Sequence, residues 1–147
     1  VAEAIYDAVN AGADVIALSL NSAPNVPNLN NADQRAIRYA VDHGVVISVS
    51  ASNDGNSASI DASNNVSDKD DYYPNSNLGN YKPFNSGDIG DPADSPDAIT
   101  VAAEKSEQDE DSDMADFTSW GPLPDYTLKP DVSAPGVDII STGNDNK

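Results

Sequence analysis

The chain has 147 residues, enough for one domain with a real core, but it is lean in core-forming side chains and strongly acidic. Its 25 Asp and Glu against 7 Lys and Arg give a net charge of −18, which argues against nucleic acid and anionic membrane as partners, since both select basic surfaces. Cysteine is absent, so neither a disulfide framework nor thiolate chemistry is available, and no apolar run approaches the ~20 residues that cross a bilayer. No signal-peptide pattern is visible. The apolar residues are gathered into a few short runs, which predicts a folded α/β framework carrying long polar loops.

Val1–Ala11 places Val1, Ala4, Ile5, Ala8 and Val9 at helical spacing, with Glu3, Asp7 and Asn10 on the other side and Gly12 as the stop. Because the chain opens in mid-helix, it reads as a piece of a larger protein. Asp14–Leu20 contains a short buried strand, and Asn21–Asn31 is a turn-rich loop with Pro24 and Pro27. Asn31 reads as a helix N-cap, with Gln34 three residues on as a partial capping box. The helix that follows shows Ala36, Ile37, Ala40 and Val41 on one face and ends at Gly44.

Val45–Ser50 is an apolar, β-branched run and is expected to be a strand buried on both faces. Ala51–Asn56 then turns to small polar residues around Asn53-Asp54-Gly55, a loop leaving the strand's carboxyl end, where ligands sit in open parallel sheets. An order α-β-α-β with short connections implies parallel strands and right-handed crossovers.

Residues 60–97 form a long stretch of Asn, Asp, Ser, Gly and Pro, with Tyr72, Tyr73, Tyr81, Phe84 and Ile89 as its apolar anchors. Loops of that length are usually functional or insertions. Ala98–Ala103 is a third strand, and residues 105–113 are an acidic linker. Asp116–Trp120 and Val137–Thr142 are further strand candidates, on either side of a segment punctuated by Pro122, Pro124, Pro130 and Pro135.

The ends Ser19-Leu20-Asn21 and Ser50-Ala51-Ser52-Asn53 fall at one edge of such a sheet. Small side chains there admit an extended peptide held by main-chain hydrogen bonds, and a carboxamide N–H beside it suits an oxyanion. Several runs stand in register: Gly-Ala-Asp-Val-Ile-Ala-Leu-Ser-Leu, Gly-Val-Val-Ile-Ser-Val-Ser-Ala-Ser-Asn-Asp-Gly, Pro-Asp-Ala-Ile-Thr-Val-Ala-Ala, Phe-Thr-Ser-Trp-Gly-Pro and Lys-Pro-Asp-Val-Ser-Ala-Pro-Gly-Val-Asp-Ile-Ile-Ser-Thr. Together they resemble the central part of a subtilisin-like serine protease, nearest to the lactocepin-type cell-envelope proteinases of Gram-positive bacteria. The resemblance covers nearly the whole chain apart from the Asn/Asp-rich loop.

That resemblance implies a partial three-layer α/β fold with a mostly parallel sheet, in a peptidase domain filling residues 1–147. It implies that Asn53 is the oxyanion-hole donor. Ser19, Leu20 and Asn21 would pair with substrate backbone and wall the primary specificity pocket. Ser50, Ala51 and Ser52 would form the opposite wall, and Gly90 the pocket's base. Where the family commonly has Ser-Leu-Gly and Ala-Gly-Asn, this chain has Ser-Leu-Asn and Ala-Ser-Asn. The linker 105–113 stands where related enzymes insert a protease-associated domain.

The family's catalytic Asp and His precede the matching region and its nucleophile follows in Gly-Thr-Ser-Met-Ala; none of the three is in this sequence. His43 sits in the last turn of a helix and reads as a helix-end residue rather than a base.

The implied function is a segment of a secreted or wall-anchored serine endopeptidase acting on polypeptides, inactive by itself. It would pair with the remainder of its own domain or with itself through uncovered apolar faces. The chemistry requires no cofactor; calcium enters only as a structural ion, and Asp68/Asp70/Asp71 and Asp109/Glu110/Asp111/Asp113 read chiefly as solvated charge. Trp120 reads as a packing residue beside Gly121-Pro122. Rival readings are a non-catalytic extracellular α/β domain that binds peptide or calcium, and a receiver-like or flavodoxin-like module. The latter fits poorly, because the strand ends carry Ser, Asn and Ala rather than paired acids.

Overall fold

The computed structural model describes residues 1–22, 28–55, 89–105 and 114–140. Helix α1 (Ala2–Asn10) leads into strand β1 (Val15–Leu18), then helix α2 (Ala32–Asp42) and strand β2 (Val46–Ser50). Strands β3 (Ile99–Glu104) and β4 (Val132–Pro135) complete a four-stranded sheet in the order β1-β2-β3-β4. Every pairing is parallel: Val15 lies opposite Val46, Ser48 opposite Ile99 and Val101 opposite Val132. The α/β architecture and parallel sheet expected from the sequence are what the structure has.

The amphipathic spacing explains where the core sits. Ile5 of α1 and Ala36, Ile37 and Ala40 of α2 pack with Ile47 and Val49 of β2, and Ile16 and Leu18 of β1 close the same side. The small alanines let α2 lie close to the sheet. Deleting the buried part of Ile37 would cost about 2–5 kcal/mol by lost transfer energy and the cavity left behind. Asn31 caps α2 as its position predicts, its side-chain oxygen accepting from the Gln34 amide at 2.8 Å. The Gln34 side chain does not return to the cap; it reaches across to the segment before β3, as described below.

Several expectations are corrected. Strand β2 is buried on one face only among the described residues, because α1 and α2 share a side; Val46 on the other face is 47% exposed. Val15, Ile99 and Val132 are exposed on that same face. Asp116–Trp120 is not a strand. Met114 bridges antiparallel to Glu104, after which the chain turns, the Thr118 amide closing on the Ala115 carbonyl. Residues 137–140 are not strand either, and residues 141 and 142 lie outside the described residues. The fourth strand is Val132–Pro135, inside the proline-punctuated segment: its proline falls on the last residue, where a missing N–H does not interrupt pairing with β3.

The long polar stretch also ends differently from expectation. Residues 89–95 fold into a packed turn in which Ile89, Ala93 and Ser95 are buried and Ala98 joins the core. Tyr72, Tyr73, Tyr81, Phe84 and both acidic clusters lie outside the described residues, as does the linker 106–113.

Candidate active site

β1 and β2 run side by side with Leu18 opposite Val49, so both chains leave the sheet at the same edge. A cleft of about 390 Å³ opens there and along the exposed face of the sheet, lined by Ser19, Ser48, Ser50, Asn53, Phe117 and Gly136 among others. Ser19, Ser50 and Asn53 therefore meet in one cleft, with Asn53 exposed at it. Leu20 and Asn21 continue outward from β1, both exposed, and the Asn21 side-chain amide donates to the Ser50 carbonyl across the gap at 3.4 Å. Ala51 and Ser52 are buried. The Ala51 amide donates to the Val101 carbonyl at 2.9 Å and extends the β2–β3 pairing beyond Ser50.

Gly90 approaches this edge from the other side of the fold. A Cβ there would collide with the Ser22 carbonyl oxygen and crowd Asn21 Cβ at 3.2 Å and Ser52 Oγ at 3.3 Å. Only glycine lets the three segments meet this closely. All the residues singled out in the sequence thus surround one corner of the sheet. Ser19, Ser50 and Asn53 line the cleft, and Asn21, Ser52 and Gly90 converge beside it.

The corner is anchored by two aspartates, Asp91 and Asp94, that carried no sequence signal. The Asp91 carbonyl accepts from the Ser22 amide at 2.8 Å, while its carboxylate accepts from Asn31 Nδ2 at 3.1 Å and Gln34 Nε2 at 3.0 Å. Gln34 Nε2 also donates to Asp94 Oδ1 at 2.7 Å. Burial, and then the Asp91 carboxylate beside it, push the Asp94 carboxyl up to about 6. This pair pins the Gly90 turn to the N-terminus of α2.

A second anchor joins β3 and β4. Lys129 is buried, and its Nζ donates to the Ala98 carbonyl at 2.7 Å and to Asp131 Oδ2 at 2.6 Å. The same carboxylate oxygen accepts from the Thr100 amide at 2.7 Å. Burial acts to raise the Asp131 carboxyl, but the Lys129 and Thr100 donors and the ammonium charge outweigh it and hold the group below its usual range. His43 occupies the helix end, Nδ1 lying 2.7 Å from the Tyr39 carbonyl oxygen and the ring tilted against that of Tyr39, centroids 4.0 Å apart. Trp120 is half exposed and packs only in part. Among the described residues no three His, Asp or Glu side chains converge as metal ligands. No helix among them is long and apolar enough to cross a membrane.

A parallel α/β sheet with its cleft at the strands' carboxyl ends is the architecture of α/β proteins whose sites are built from the loops leaving the sheet. The particular family follows from comparison: the model of the Subtilase family matches residues 1–147, and the chain belongs to that family. It is 44% identical over 48 residues to the PIII-type proteinase of Lactococcus lactis subsp. cremoris strain SK11, an alignment covering 33% of this chain and 2% of that protein. It is 36% identical over 75 residues to Bacillopeptidase F of Bacillus subtilis strain 168, covering 49% of this chain and 5% of the relative. The chain therefore spans only a small fraction of these curated relatives.

Among solved structures it is similar to the S41 psychrophilic protease, with a TM-score of 0.54 and 30% identity over 92% of this chain and 37% of that one. Sphericase gives a TM-score of 0.54 and 27% identity over 91% and 36%. The subtilisin-like character read from the sequence motifs is thus what the comparisons find.

Proposed function

We propose that this chain is the substrate-binding and oxyanion-stabilising segment of a subtilisin-like serine endopeptidase. The observation that carries the reading is the exposed carboxamide of Asn53 in the cleft where β1 and β2 end. An extended peptide laid there would find main-chain partners along Ser19–Asn21, with Ser50–Ser52 as the opposite wall of the specificity pocket and Gly90 at its base. A serine from the rest of the protein attacks the peptide carbonyl carbon. A histidine held by an aspartate accepts the serine proton and passes it to the leaving amine. Asn53 Nδ2–H donates to the carbonyl oxygen as it gains negative charge.

The exposed row Val15, Val46, Ile99 and Val132 supports a sheet face that the remainder of the protease domain covers, or that drives self-association of this chain alone. The lactococcal and Bacillus relatives support an extracellular or cell-wall setting for the parent protein. Calcium, if bound, would be a structural ion outside the chemistry.

The decisive experiment is Asn53→Ala in the intact protease, with kcat and KM measured on a peptide substrate. The donor acts on charge that develops only in the transition state, so kcat should fall roughly 10²–10³-fold while KM changes little. That is the size of the loss when the oxyanion-hole asparagine of subtilisin is removed. An unchanged kcat would refute the assignment.

A further inference from the structure

Ser52, directly before Asn53, has φ of 97°, a conformation in which a side chain is crowded and where glycine is the usual occupant. Three hydrogen bonds hold a serine there. Ser52 Oγ–H donates to Asp54 Oδ2 in a short contact. The Asp54 amide donates to Ser119 Oγ at 3.0 Å. The Ser119 amide donates back to the Ser52 carbonyl at 3.0 Å. The three residues close a ring, and Asn53 is the one residue enclosed between two of its members. The Gly55 amide adds a further bond to the Phe117 carbonyl at 3.0 Å, and a Cβ on Gly55 would collide with the Thr118 carbonyl. Ser119 is fully buried and Ser52 is 7% exposed, whereas Asn53 is open to solvent. A hydrogen-bonded frame of buried Ser52 and Ser119 and half-buried Asp54 thus surrounds an exposed donor.

We propose that Ser52, Asp54 and Ser119 are positioning residues that aim the Asn53 carboxamide into the cleft. The inference rests on the oxyanion reading of Asn53 and extends it to residues outside the cleft lining. A donor stabilises a transition state to the degree that it is already aimed before the charge appears, so backbone fixed on both sides of Asn53 is worth rate. The hydroxyl of Ser52 takes over what glycine supplies by lacking a side chain: it ties down a backbone conformation that an ordinary side chain would leave. Through Ser119 the frame also links the catalytic loop to residues 114–119, which arrive from after β3.

The test uses the intact protease, with kcat, KM and melting temperature measured together. Ser52→Ala keeps the crowding and loses the tie, whereas Ser52→Gly loses both. Ser52→Ala should therefore have the lower kcat of the two, by about tenfold, with KM similar in both. Asp54→Ala should lower kcat about tenfold, and Asp54→Asn, which keeps a side-chain oxygen for Ser52, should restore most of it. In an Asn53→Ala background, Asp54→Ala should lower kcat no further.

A kcat equal to the parent's in both Ser52→Ala and Ser52→Gly overturns the proposal, as does an Asp54→Ala variant that loses melting temperature but not kcat. So does an equal Asp54→Ala effect with and without Asn53, since the frame would then act independently of the donor. If Asn53→Ala itself leaves kcat unchanged, the oxyanion reading has failed, and that result is distinct from failure of the frame. Should Asp54→Ala not fold, the Ser52→Ala and Ser52→Gly comparison decides alone.

Discussion

Asp94 shows how a single side chain can make the corner beside the cleft sensitive to pH. Its carboxyl is raised from 3.8 to about 6, so the folded protein binds this proton more tightly than the unfolded chain does. The stability it contributes is present in full below about pH 4 and is lost as pH rises through about 6. Asp94→Asn keeps an oxygen for Gln34 and removes the ionisation. At pH 8 the variant should therefore be more stable than the parent sequence, by at most about 3 kcal/mol, with the gap closing towards pH 4. Thermal melts of both proteins across that range check this, and a gap independent of pH would contradict it.

Neither Asp94 nor Asp91 was legible in the sequence, where they stand among many Asp and Asn residues without a spacing signature. They matter because the fold brings Gln34 to them from 57 and 60 residues away. Ser119 lies in the Phe-Thr-Ser-Trp-Gly-Pro run, but its contact with the Asn53 loop is not legible there for the same reason, since its partner Asp54 is 65 residues distant. Asn53, Ser19 and Ser50 were legible because their place follows from local order: a short apolar strand, then a small polar loop at its carboxyl end.

At the level of elements, the same contrast between local and distant signals decides what could be read. α1 and α2 carry a helical hydrophobic period and β1, β2 and β3 are short apolar runs, and all five are placed by the sequence to within a residue or two. β4 was not. All four of its residues are exposed among the described residues, so nothing in Val-Ser-Ala-Pro alternates between buried and open, and the parallel partner β3 supplies the order. Phe117 and Trp120 read as part of a strand, yet Phe117 sits within the Ala115–Thr118 turn, Trp120 follows it, and both are partly exposed.

The β3–β4 junction relies instead on the buried Lys129. Lys129→Met keeps the volume but leaves the Ala98 carbonyl without this donor and Asp131 without its counter-charge. Asp131 is 39% exposed on its side chain, so water meets part of that loss. The expected cost is about 2–3 kcal/mol, below that of a wholly buried pair. Chemical denaturation of the single variant measures it, and an unchanged midpoint would show that the pair contributes nothing.

For the whole molecule, the geometry divides a protease's work unequally. This chain has a cleft with the exposed Asn53 carboxamide in it, while its sequence has no Gly-Thr-Ser-Met-Ala nucleophile motif. His43 is engaged at the end of α2. The isolated chain should therefore bind extended peptides weakly and hydrolyse none. A peptide-release assay on the pure chain, with and without a serine-protease inhibitor, tests this, and inhibitor-sensitive turnover would contradict it.

The parallel pairing of β2 with β3 also sets a timetable. The two strands are hydrogen-bonded neighbours, yet residues 51–98 must be made between them. At ordinary translation speed that interval lasts about 2–10 seconds. Throughout it, α1, β1, α2 and β2 can assemble from short-range contacts while one edge of β2 stands open. The loop around Asn53 waits longer still, because its hydrogen-bonded frame needs Ser119. Closing contacts between such distant parts of a chain is slow, so the loop around Asn53 should take its final shape late in folding, after the helices and the first strand pair are in place.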